Sequence, residues 1–109
     1  MIIEHKNEGT YIPYSLSKSN LTLNDELIIK LDKYERDDPV HIDICFDKNN
    51  SLVMGVIPGV AELYAAEIDI PAREYETEGE GDDEKRIPVP YKPDNTTLTL
   101  WGLNRMEEE

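Results

Sequence analysis

The cleanest pattern in the chain spans residues 40–46. Ile42, Ile44 and Phe46 point one way, and His41, Asp43 and Cys45 the other. A period of two marks a half-buried strand. Asp47-Lys48-Asn49-Asn50 is a turn cluster and residues 51–57 form a second apolar run, so the two runs predict a hairpin. Pro58-Gly59 breaks that run. Residues 60–70 predict a third, longer strand, with Tyr64, Ala66, Ile68 and Ile70 on one face and Glu67 and Asp69 on the other. Residues 96–103 predict the last strand, with Leu98 and Leu100 opposed to Thr97, Thr99 and Trp101.

The N-terminal half is less regular. Residues 2–5 and 10–14 are short apolar-aromatic runs joined by Lys6-Asn7-Glu8-Gly9, which reads as a hairpin, and residues 15–20 read as a polar loop. Residues 24–36 predict the one helix. Leu27, Ile28, Leu31 and Tyr34 recur at helical spacing, Asn24 caps, and Asp25 and Glu26 suit the positive end of the helix dipole. Lys33 and Arg36 lie near the far end and Pro39 stops continuation. The competing reading is a strand with Leu27, Ile29 and Leu31 on one face; Ile28 breaks that alternation, while only Ile29 breaks the helix. Trp101, opposite Leu98 and Leu100, is expected beneath this helix, or otherwise as an apolar anchor for a partner.

Composition changes sharply at residues 74–86, where seven of the eleven residues 74–84 are acidic, and this segment reads as a mobile solvated loop. Residues 87–93 carry Pro88, Pro90 and Pro93 and read as extended or edge chain. The acidic tail, residues 106–109, is expected to fray. These elements predict a single domain over residues 1–109 of the α+β class, with a mainly antiparallel sheet of five or six strands and one helix. An all-β sandwich or barrel is the alternative.

Charge narrows the function. There are 24 acidic and 11 basic residues in 109, a net charge of −13. That argues against direct binding to nucleic acid or an anionic membrane, both of which select a positive footprint. No apolar run reaches the ~20 residues of a membrane span. A single cysteine and no visible secretory signal point to the cytoplasm.

Chemistry is sparse. His41, Asp43 and Cys45 are the parts of a cysteine nucleophile site, yet i,i+2 side chains on one strand stand ~6.6 Å apart, which is awkward for direct hydrogen bonding. A semi-buried thiol on a polar strand face is the plainer reading. Two histidines and one cysteine lack zinc-site spacing. The run from Asp47 starts like a calcium loop but has Leu52 where a Gly is required and Pro58 where a Glu is required. No phosphate-binding Gly loop or nucleophile elbow is present. The expectation is no enzyme, no catalytic residues, no metal and no cofactor.

The acidic surface is the one feature above background. Glu74, Glu76, Glu78, Glu80 and Asp82 recur at every second residue, followed by Asp83 and Glu84, with Asp37 and Asp38 as further acids. In extended chain such a row projects from one edge, much as a nucleic-acid strand presents a row of single negative charges. A small, acidic chain without catalytic parts resembles, in type alone, phage and mobile-element inhibitors, including DNA-mimicking anti-CRISPR proteins; no residue assignment follows. The expected function is a non-enzymatic protein-interaction module docking on a basic partner, as a nucleic-acid mimic that inhibits a DNA- or RNA-binding protein. The alternatives are an accessory subunit or homo-oligomer with an apolar or sheet-edge interface and, more remotely, a Cys45-dependent enzyme.

Overall fold

A computed structural model describes residues 1–55 and 61–103, with side chains described for all of these except 61 and 62. The expected frayed tail at 106–109 and the 56–60 stretch lie outside the described residues.

The chain is all-β. Among the described residues there is no helix of seven or more residues, and none long and apolar enough to cross a membrane. Five strands form the main sheet in the order β1 (Ile2–His5), β10 (Thr97–Leu100), β7 (Ala61–Ile70), β5 (Val40–Asp47), β6 (Leu52–Met54). All neighbours are antiparallel except β1 and β10, which run parallel. Strands β2 (Tyr14–Ser17), β3 (Asn20–Leu23) and β4 (Leu27–Lys30) form an antiparallel meander, and β8 (Tyr75–Glu78) pairs with β9 (Lys85–Pro88) in a separate hairpin. The inner faces of sheet and meander share one core: Ile42, Ile44, Phe46, Ala66, Ile68, Leu98 and Leu100 from the first, Leu21, Leu23 and Ile29 from the second.

The expected helix at 24–36 is replaced by β4 and a single 3₁₀ turn at Leu31–Lys33, so the α+β class is overturned. Asn24 and Asp25 both sit at positive φ (55° and 54°), and the Glu26 N–H donates to the Leu23 carbonyl. Asn and Asp tolerate the left-handed region, and two such residues in succession make the turn that matches strand twist. What reads as a helix cap and acidic first turn is hairpin chemistry. Ile29 and Leu31 are 1% and 0% exposed, whereas Ile28 is 63% exposed.

Three other expectations are corrected. Residues 2–5 and 10–14 do not form a hairpin. Ile2 and Lys6 donate their N–H groups to the carbonyls of Thr96 and Leu100, and Thr10 bridges Leu103. The expected loop at 15–20 is mostly strand, with β2 and β3 turning tightly at Lys18 (φ 57°) and Ser19. Finally, the β5–β7 register slips between Ile44 and Cys45, leaving Ala65 as an extra, buried residue. This bulge moves Tyr64 off the Ala66–Ile68–Ile70 face and onto the outer face beside Cys45.

Candidate functional site

The acidic segment lies on the β8–β9 hairpin, where two short strands occupy a stretch that reads as loop. Its register pairs Glu76 with Ile87 and Glu78 with Lys85, and the Val89 N–H extends the ladder to the Glu74 carbonyl. Residues opposite one another share a face. Glu74, Glu76 and Glu78 therefore form a row on one face, together with Lys85. The row does not run on: a 3₁₀ turn at Gly81–Asp83 gathers Glu80, Asp82, Asp83 and Glu84 at the tip. All seven carboxylates are exposed. On the other face the Arg86 guanidinium lies 4.2 Å from the centre of the Tyr75 ring.

Asp37 is not free in the same way. It accepts hydrogen bonds from Arg73 Nη1 (3.2 Å) and the Tyr75 hydroxyl (2.5 Å), while Arg73 Nη2 also reaches the Glu35 carbonyl. These contacts tie the 35–37 segment to the base of the hairpin. Asp38 is exposed beside it. The cleft at that base carries Glu35, Glu74 and Asp94 against one Lys92, which extends the negative surface.

The outer face of the main sheet holds a second cluster. Pairing of β5 with β7 places His41 opposite Asp69 and Asp43 opposite Glu67. His41 Nδ1 lies 2.6 Å from Asp69 Oδ1, and its Nε2 lies 2.8 Å from Asp43 Oδ1 and 3.4 Å from Glu67 Oε1. The hydrogen bond to Asp69, then that to Asp43, holds the imidazole pKa above its ordinary value, against a smaller opposing effect of burial. Trp101 is half-buried with no helix above it. Its indole stacks on Tyr64 (4.9 Å between centres), and its Nε1–H donates to Glu67 Oε2 at 2.7 Å. The polar edge of the expected anchor is thus engaged within the sheet.

Cys45 is buried, and burial, reinforced by Asp43 and Glu67, raises its thiol pKa. The thiolate is the reactive form. Alkylation of the folded protein by iodoacetamide at pH 8 is expected to run at least about tenfold slower than in denaturant, and to accelerate only at higher pH. A folded-state rate equal to the denatured one would contradict this.

The alternation of residues 40–46 places His41, Asp43 and Cys45 on one strand face but leaves out Glu67 and Asp69, their neighbours across the strand pair. The signal was present in the matching alternation of residues 40–46 and 60–70, whose charged positions meet once those strands pair. Comparison with protein-family models, curated proteins and solved structures finds no match to the chain.

Proposed function

We propose that the chain is a non-enzymatic interaction module that docks its acidic hairpin on a basic surface of a nucleic-acid-binding protein and so competes with nucleic acid. The observation that carries the reading is the hairpin itself. Residues 74–88 hold seven acids against two bases, all on exposed positions, with three carboxylates aligned on one strand face. Neighbours in that row stand ~6.6 Å apart. Pairing into two strands limits the conformations the row samples, which lowers the entropy lost on docking. Asp38 and the acidic cleft at the hairpin base widen the same surface. The reading belongs with a cytoplasmic setting, where the lone Cys45 stays reduced.

The test is a pull-down from host lysate at low and moderate salt, comparing wild type with the combined Glu74→Gln, Glu76→Gln, Glu78→Gln, Glu80→Gln variant. The captured partner is then titrated against both proteins and against competing DNA or RNA. Exposed ion pairs contribute about 0.2–1 kcal/mol each, so loss of four charges is expected to weaken binding by about 2 kcal/mol, roughly 30-fold. Affinity for wild type should fall steeply with salt, and nucleic acid should displace it. Equal affinity for both proteins would end the proposal.

The exposed Ile28 on the meander's edge strand β4 favours a second reading, an accessory or self-associating chain joined through a sheet edge. Such an interface would hold almost unchanged between low and moderate salt.

A further inference from the structure

We propose that His41 Nε2, Asp43 Oδ1 and Glu67 Oε1 form a binding site for a divalent transition-metal ion of the zinc class on the outer face of the main sheet. This is independent of the hairpin reading. Ligands ~2.1 Å from a tetrahedral or octahedral centre stand ~3.0–3.4 Å from one another. The imidazole nitrogen lies 2.8 Å and 3.4 Å from the two carboxylate oxygens, and all three atoms fall within 4.8 Å of one another. Among the described residues this is the one group of three or more such side chains with that convergence.

The supporting shell has the form metal sites use. A metal-bound histidine commonly gives its other ring nitrogen to a carboxylate, which fixes the tautomer and the ring orientation. Here Asp69 stands on Nδ1 and leaves Nε2 facing Asp43 and Glu67. Glu67 is oriented in turn: Trp101 Nε1–H holds its Oε2, and Oε1 turns toward the imidazole. The stack on Tyr64 fixes the indole that does this.

Charge points the same way. Three carboxylates surround one imidazole, and among the described residues no Lys or Arg forms an ion pair with any of them. One nitrogen and two oxygens suit zinc and its first-row neighbours better than magnesium or calcium, which prefer oxygen alone. Two ligands come from β5 and one from β7, strands paired along their length, so the set is held before any ion arrives. Three protein ligands leave a position for water or for a side chain from a partner.

The experiment titrates the full chain with Zn²⁺ by calorimetry, with Co²⁺ as an optical probe, in excess Mg²⁺. One Zn²⁺ per chain is expected, undisplaced by Mg²⁺, and Co²⁺ should give visible absorption from a nitrogen-oxygen ligand set. His41→Gln and Asp43→Asn should each weaken Zn²⁺ binding by about 100-fold or more, with circular dichroism showing the fold retained. Asp69→Asn and Trp101→Phe, which touch only the positioning partners, should each weaken it about 10- to 100-fold. The hairpin variant with four Glu→Gln changes should bind Zn²⁺ as wild type does. NMR of the wild-type His41 ring supplies a test that needs no variant: its nitrogen signals should shift on addition of one equivalent of Zn²⁺. Unmoved ring signals, undiminished binding in His41→Gln, or binding lost in the hairpin variant would each overturn the site.

Discussion

Truncating Ile29 to alanine is expected to lower the unfolding free energy by about 3 kcal/mol, while the same change at its neighbour Ile28 should move it by less than about 0.5 kcal/mol. Ile29 is 1% exposed and packs in the core shared by meander and main sheet; Ile28 is 63% exposed on the opposite face of β4. Removing buried aliphatic carbons forfeits their transfer free energy and leaves a cavity. Removing exposed ones forfeits little. A helix over 24–36 would reverse the order, because Leu27, Ile28, Leu31 and Tyr34 would then face inward. Urea denaturation of the two variants separates the outcomes, and a larger loss at Ile28 would reinstate the helix.

Gly102→Ala is expected to be comparably severe, at about 3 kcal/mol. A Cβ at Gly102 would press on the Glu8 carbonyl oxygen and sit 2.9 Å from the Gly9 amide nitrogen. Both are backbone atoms and have no rotamer to yield. Relief requires the 8–10 segment to move away. That would stretch the hydrogen bond from the Gly102 N–H to Asn7 Oδ1 (2.7 Å) and the two backbone bonds between Thr10 and Leu103. Gly81, at φ +58° on the hairpin tip, makes the contrast: a Cβ there meets no atom within 4 Å, so Gly81→Ala carries only the left-handed penalty of about 1 kcal/mol. Thermal melts of the two variants check the ranking. Equal, small shifts would mean that the crossing tolerates separation.

What the sequence revealed follows how local the determining contact is. The β5–β6 hairpin was legible because Ile42, Ile44 and Phe46 alternate with polar residues and a short turn cluster joins the runs. Residues 24–36 read as a helix because an exposed Ile28 fills the gap in a strand alternation and imitates a helical stripe, while Asn-Asp serves either a cap or a turn. The parallel partnership of β1 with β10 leaves no mark in either segment, since nothing in Ile2–His5 specifies a partner so far along the chain. Ala65 likewise gives no sign that a bulge sits there, so the alternation puts Tyr64 on the wrong face. The acidic residues themselves needed only counting. Their division into a row of three and a tip cluster depended on Gly79 and Gly81 bending the chain. His41 found its acidic neighbours only through the β5–β7 register, which no single segment contains.

The pairing of β1 with β10 also bears on the order in which the molecule can form during synthesis. The β5–β6 hairpin and the meander close over short stretches and can assemble as they emerge. Among the described residues β1 has its one strand partner at Thr97–Leu100, and the Asn7–Gly102 contact spans 95 positions. That sheet edge therefore waits until residues 97–102 have been made. Closing so long a loop costs entropy before its contacts are gained, which places this step in the slow, high-contact-order regime of milliseconds to seconds.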